Sequence, residues 1–295
     1  MLFFYLRDRL APLAFFLHAL VCGCSSDTGH GKFEKVTAAY EVKKAGLMQR
    51  DDVVESSGLA LVNDNGDLWT HGDGGNTSIL YKVTAQGDLL QRQRIPDANN
   101  IDWEDLAQDR KRGYLFIGDF GNNGNKRRDL RIYRLNTADF KKVDTIAFRY
   151  PDQKLFPPKK PARNFDCEAF FYHNDSLYLF TKNRGEGKWV KEYVLPARPG
   201  NYVATLADSI RISSWITAAD ISPDGRQVAL LGYGNVYLFE GQPGRRLFQG
   251  KKYCLPVEKT GQAEGLVYLN NQDFVISNEK GRLYHVKRRT DVAMP

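Results

Sequence analysis

The stretch "NNIDWEDLAQD", Asn99 to Asp109, sets Asp102, Glu104 and Asp105 beside a tryptophan at the start of an apolar run. Carboxylates crowded into a dehydrated place repel one another, so they must be protonated, paired with cations or bound to a metal. The pattern recurs in "ESSGLALVNDNGDLWTHGDGG" from Glu55, "DCEAFFYHNDSLYLFTKN" from Asp166, "TAADISPDGRQVALLGYGN" from Thr217 and "QAEGLVYLNNQDFVISNEKG" from Gln262. Aligned on Leu59, Leu106, Phe170, Ile221 and Leu266, one position holds Ser57, Glu104, Glu168, Ala219 and Glu264. Two residues earlier, on the same side of a strand, stand Glu55, Asp102, Asp166, Thr217 and Gln262. Further acids and amides close the following strand: Asp73, Asp119 with Asn122 and Asn123, Asn183, and Asn278 with Glu279.

If these residues meet, an all-oxygen set of carboxylates and amides suits calcium, with magnesium the alternative, whereas zinc would want histidine or cysteine. The expected metal ligands are Glu55, Asp102, Glu104, Glu168 and Glu264. Asp73, Asp119, Asn122, Asn123, Asp166, Asn278 and Glu279 would line the surrounding pit. The competing reading is a hydrated acidic funnel, or acids bridged to Arg127, Lys182 and Arg184. The five histidines show no ligand spacing, and there is no G-x-S-x-G, no H-E-x-x-H and no phosphate-binding glycine loop.

The elements that must position these groups are strands. Each segment runs apolar strand, tight polar turn, apolar strand, with Asn65-Gly66, Asp224-Gly225, Asn174-Asp175 and Asn270-Asn271 supplying the turns. A third strand follows every time ("SILYKV", "LRIYRL", "VKEYVL", "NVYLFE", "RLYHVK"), and a fourth in the first four units. The anchors fall 47, 64, 51 and 45 residues apart, the repeat of a propeller blade. The fifth unit lacks its last strand, while an orphan strand, "KVTAAYEV" (35–42), precedes the first. That strand can complete the last blade and leave no sheet edge bare. The expected fold is all-β, a five-bladed propeller over residues 34–290 closed by the N-terminal strand. "YPDQKLFPPKKPARN" reads as an inserted loop.

Residues 1–23 carry early arginines and a short apolar run, the pattern of an export signal. They end in Val21-Cys22-Gly23-Cys24, similar to a bacterial lipobox, which makes Cys24 the expected lipid attachment and 24–33 a polar tether; the competing reading is a secretory signal cut without lipidation. The expected place is the cell envelope, anchored to a membrane, and there the formal charge of +7 does not imply a nucleic-acid partner. The chain is expected to be a monomer with Cys167 and Cys254 as free, buried thiols.

"ESSGLALVNDNGDLWTHGDGGNTSILYKVTAQGDLL", "NIDWEDLA", "YLFIGDFGNN" and "DCEAFFY" resemble the bacterial exported propellers grouped as SdiA-regulated and phytase-esterase-like. The resemblance implies a propeller, an extracytoplasmic place and frequent calcium binding, but no settled reaction. Three functions follow as expectations. The first is a metal-loaded pit that binds a small anionic or ester substrate, with hydrolysis by metal-activated water as its candidate reaction. The second is a glycosidase using Glu55, Asp102 or Glu104, and Glu168. The third is a non-catalytic module at the cell surface that binds a small molecule or glycan.

Overall fold

The computed structural model describes residues 24, 32–49, 51–182, 184–257 and 260–295. Two N-terminal strands, β1 (Glu34–Lys35) and β2 (Tyr40–Leu47), flank a single 3-10 turn and precede the repeats. The first blade is β3 (Ser56–Leu61), β4 (Leu68–Gly72), β5 (Ile79–Val83) and β6 (Leu89–Arg94). The second is β7 (Trp103–Asp109), β8 (Tyr114–Asp119), β9 (Arg131–Asn136) and β10 (Val143–Arg149). The third takes β11 (Asp166–His173), β12 (Ser176–Lys182) and β13 (Trp189–Pro196); the chain then lends β14 (Gly200–Val203) to the outer edge of blade two and returns as β15 (Thr205–Arg211). The fourth is β16 (Ile216–Ile221), β17 (Val228–Gly232), β18 (Asn235–Glu240) and β19 (Lys251–Pro256). In the fifth, β20 (Ala263–Tyr268), β21 (Phe274–Asn278) and β22 (Arg282–Arg288) are completed by β2, antiparallel to β22. The chain is an all-β, five-bladed propeller closed by its N-terminal strand.

The reason lies in burial. The five inner strands are almost wholly buried, while outer strands such as β6 expose most of their residues. Apolar side chains then pack between neighbouring blades. Phe116 and Phe120 meet Phe170 and Leu179 at one junction, and Phe171 and Phe180 meet Leu230 and Phe239 at the next. Leu59 and Leu68 of blade one meet Val267 and Val275 of blade five, which closes the ring. Burial on both faces of every blade is what a ring supplies and an open row of blades would not.

Three details differ from expectation. The closing strand spans 40–47 rather than 35–42, because Glu34 and Lys35 instead pair, in parallel, with Tyr253 and Cys254 of β19. The fourth strand of blade three, 205–211, forms only after the chain has given residues 200–203 to the edge of blade two. Cys254 is not a free thiol: the N-terminal segment runs beside β19, and Cys24 is joined to Cys254 by a disulfide with the two Cα atoms 5.6 Å apart. Cys167 is free and buried. A sulfur in a disulfide has no valence left for a lipid thioether, so this bridge and acylation of Cys24 exclude one another. The proposed signal, residues 1–23, and most of the tether lie outside the described residues, as does Asn183.

Candidate functional site: an acidic pit at the channel mouth

Every inner strand breaks its register with the second strand near its start. The shifts fall between Ser57 and Ala60, Trp103 and Leu106, Cys167 and Ala169, Ile216 and Ala218, and Ala263 and Gly265. A bulge leaves a residue out of the ladder and re-aims its side chain. Here the bulged residues include Glu104, Glu168, Thr217 and Glu264. Blade four therefore presents Thr217 at the ring position, not Ala219, and its hydroxyl donates to the carbonyl of Ala263 at 2.7 Å.

The bulges open onto a pit of about 430 Å³ lined by Ser57, Asp73, Asp102, Glu104, Asn123, Glu168, Lys182, Arg184, Trp215, Tyr233, Gln262, Glu264 and Glu279. Of the five expected ligands, Asp102, Glu104, Glu168 and Glu264 reach it, together with Asp73, Asn123 and Glu279. Glu55 does not. It sits exposed with φ of 49°, and its carboxylate accepts a hydrogen bond from Asn76. Asp119 lies behind the wall, where it accepts from the Asp102 amide at 3.0 Å and pairs with Arg127 at 3.1 Å. Asp166 accepts the Asn122 amide and binds Arg184. The Asn122 side chain accepts the amides of Lys126 and Arg127, and that of Asn278 accepts those of Lys280 and Arg282. These two amides cap loops and do not face the pit.

Within the pit the acids have different fates. Glu168 holds Lys182 Nζ at 2.6 Å and Arg184 at 3.2 Å. Glu264 accepts the Tyr233 hydroxyl at 2.6 Å, and Glu279 accepts Gln262 Nε2 at 2.5 Å. Lys182 lies 5.7 Å from the ring centroids of both Trp215 and Tyr233, and Arg184 lies 5.5 Å from that of Trp215. Glu104, only 7% exposed, and Asp102 differ: among the described residues neither carboxylate makes a hydrogen bond or ion pair. Two glycines make room for them. A Cβ on Gly121 would lie 2.0 Å from Glu104 Oε1 and 2.5 Å from Asp102 Oδ2, and one on Gly74 would lie 2.2 Å from Asp102 Oδ1. The Glu104 and Asp102 oxygens are thus no further apart than the sum of the first two distances, near enough for charge on one to disfavour charge on the other.

Electrostatics follow from that crowding. Burial first, then repulsion from Asp166 and Asp73, pushes Asp102 up to about 6. Burial and then Glu168, Asp73 and Asp102 hold Glu104 well above the usual glutamate value. Burial raises Glu264 to about 7 against the pull of Lys182, and raises Glu279 to about 8 with Glu264 and Asp73 adding to it. Burial works against the Lys182 ammonium, yet Glu168, Tyr233 and Glu264 keep it above the ordinary lysine value. Lys182 therefore stays charged at neutral pH.

Asp105, beside Glu104, does different work. It is fully buried and accepts the amides of Leu106 at 2.8 Å, Phe170 at 3.1 Å and Ala219 at 3.2 Å, tying three inner strands together. Asp220 repeats this with the amides of Ile221 and Tyr268. Sequence reasoning missed Trp215 and Tyr233 as pit residues, since they lie just before β16 and in the β17–β18 turn rather than in the aligned acidic positions. Lys182 and Arg184 were legible only as the competing ion-pair reading.

For a divalent ion the donors fit in kind, being hard oxygens, two of them partnerless beside glycine backbone. They are not assembled in number: among the described residues no three His, Cys, Asp or Glu side chains stand at metal-holding spacing.

No family model matches the sequence, and no curated protein matches it. Solved structures share the fold. The PQQ-bound aldose sugar dehydrogenase of Streptomyces coelicolor is 12% identical over 85% of this chain and 98% of its own, with a TM-score of 0.51. A gluconolactonase of Xanthomonas campestris is 12% identical over 91% and 98%, with a TM-score of 0.50. At that identity the likeness is one of fold, so the propeller implied by the sequence resemblance is present and the narrower family is not thereby reached.

Proposed function

We propose that the pit binds a small ester or lactone and hydrolyses it, with Asp102 and Glu104 as an acid–base pair. The observation that carries this reading is the pair of neighbouring carboxylates that make no hydrogen bond or ion pair among the described residues. Two buried carboxyls that near one another disfavour a second negative charge, so one of them stays protonated near neutral pH. The more buried Glu104 keeps its proton, and Asp102 ionises at about 6. In the reaction Asp102 takes a proton from water as the water oxygen bonds to the substrate carbonyl carbon. The carbon–oxygen ester bond breaks, and the leaving oxygen takes the proton of Glu104. A charged Lys182 adds positive field on the opposite wall.

Two of the structural neighbours are a sugar dehydrogenase and a gluconolactonase, so sugar-derived lactones and esters are the first compounds to offer. The test is a hydrolysis screen of δ-gluconolactone, γ-butyrolactone and p-nitrophenyl esters by pH-stat and absorbance. The parent should turn over at least one, and Glu104→Gln and Asp102→Asn should each lower kcat by about 10²–10⁴-fold. No turnover of any, or turnover indifferent to both changes, overturns the reading. The glycosidase reading loses support because Glu55 lies outside the pit and Glu168 is tied to two cations.

A second reading keeps a calcium or magnesium ion. Asp73, Asp102 and Glu104 do not stand at metal-holding spacing and would have to draw together to hold it; when bound it would polarise a carbonyl and acidify its own water. What favours it is that these three acids make no ion pair among the described residues. Calcium after chelator treatment should then raise the melting temperature of the parent and not of Asp102→Asn/Glu104→Gln; no shift in the parent removes the metal.

Export and anchoring complete the proposal: a chain acylated at Cys24 would carry a free thiol at Cys254. Intact mass with thiol counting on membrane-derived protein separates the two states. An added acyl mass with two free thiols supports the anchor, and the unacylated, bridged mass removes it.

A further inference from the structure

The charge of the pit says what kind of molecule it takes. Six carboxylates line it (Asp73, Asp102, Glu104, Glu168, Glu264 and Glu279) against two cations, Lys182 and Arg184. Both cations are already engaged, Lys182 by Glu168 and Arg184 by Asp166, Glu168 and Asn123. Among the described residues none of the other five carboxylates makes an ion pair. Glu104 is more than nine-tenths buried and partnerless, and it faces the same space.

We propose that the pit selects ligands bearing an organic ammonium group over neutral or anionic ones of the same shape. The inference rests on the reading of the pit as the ligand site and adds the charge of its ligand. An anion would meet five carboxylates that make no ion pair and, among the described residues, no unengaged cation, whereas an ammonium would favour the ionised form of acids that burial otherwise keeps protonated. A neutral molecule would leave Glu104 and Asp102 as they are. An ammonium donates up to three hydrogen bonds, all to carboxylate acceptors, and such charge-assisted bonds are the strong ones.

Two features favour an organic cation over a bare ion. The volume of about 430 Å³ is that of a small-molecule site. Its wall also includes the half-buried Trp215 ring, against which Lys182 and Arg184 already lie at 5.7 and 5.5 Å, so cations in this pit sit beside aromatic faces. This ligand differs from the anionic substrate expected for a metal-loaded pit, and the two are told apart by the experiment that follows.

The experiment compares glucosamine, glucose and gluconate, which share a six-carbon skeleton and differ in charge. Binding to the full chain is read by calorimetry and thermal shift at one ionic strength and pH 6.5, with calcium chloride alone as a fourth arm after chelator treatment. Glucosamine should bind about tenfold or more tightly than gluconate, with glucose between them, and Glu104→Gln should erase most of the difference. Glu279→Gln, at the mouth, should reduce it less and guards against a folding defect in the first variant. Gluconate binding as well as glucosamine overturns the inference, as does a shift with calcium alone. A null result with all four also overturns it. Hydrolysis in the ester screen is scored separately, so a failed charge preference leaves the acid–base reading standing or falling on its own assay.

Discussion

The two walls of the pit are built by the same repeat and end in opposite states. On the side of blades three to five, Glu168 holds two cations, and Glu264 and Glu279 accept Tyr233 and Gln262. On the side of blades one and two, Asp102 and Glu104 face each other across glycine backbone with no partner among the described residues. One bulge position therefore delivers a glutamate from each of blades two, three and five, and the neighbours of each decide whether it becomes structure or chemistry. A buried acid whose partner comes from its own blade, as Glu168 has Lys182 from β12, contributes to the fold. A buried acid left alone costs stability and is kept for what it can do.

The largest test of this contrast is Lys182→Met. It leaves Glu168 buried with only Arg184 opposite, and breaking a buried ion pair from one side costs about 3–5 kcal/mol. Urea unfolding should show that loss, and Lys182→Met/Glu168→Leu should recover most of it by removing the orphaned charge. Glu104→Gln, on the other wall, should cost nothing or stabilise, since it replaces a buried acid that has no partner to lose among the described residues. The walls are misassigned if Lys182→Met is silent and Glu104→Gln destabilises.

A smaller effect sharpens the unpartnered side. The pKa of Asp102 is raised from 3.8 to about 6, chiefly by burial, so the folded protein holds its proton more tightly than the unfolded chain does. The stability this contributes is fully present below pH 3.8 and is lost as the pH rises through about 6. With allowance for solvent at the pit mouth, about 1–2 kcal/mol should disappear between pH 4.5 and 7. Asp102→Asn should flatten that part of the stability–pH curve. An identical slope in the two proteins would mean that Asp102 is ionised and compensated in the fold.

Much of the architecture could be read from the chain because it rests on short-range signals that repeat. The hairpin turns, the anchors near Leu59, Leu106, Phe170, Ile221 and Leu266, and the missing fourth strand of the last unit require five blades and an N-terminal closure. The site was legible by composition and not by geometry. A bulge adds one residue without changing residue types, so period-2 alignment put Ala219 where Thr217 stands. Glu55 looks like Asp102 in sequence, yet a positive φ turns it out to solvent. Asp105 looks like a third pit acid, and only three-dimensional pairing shows its oxygens filled by amides from blades two, three and four. The Cys24–Cys254 bridge joins residues 230 apart, and nothing local predicts the pairing.

The smallest prediction tests the blade-four ring position, which like Ser57 of blade one carries no acid. Thr217 is 1% exposed, and its hydroxyl donates to the Ala263 carbonyl on the neighbouring inner strand at 2.7 Å. If it is the blade-four member of the ring, its role is to join blades four and five, with no part in the acid–base pair. Thr217→Val keeps the branched shape and removes the donor, which should cost about 1 kcal/mol through the unsatisfied carbonyl. Thr217→Ser keeps the donor and should lose less. Neither change should alter ester turnover, because the pair at Asp102 and Glu104 belongs to blade two. A Thr217→Val protein with full stability and altered turnover would place blade four inside the chemistry and erase the contrast between the two walls.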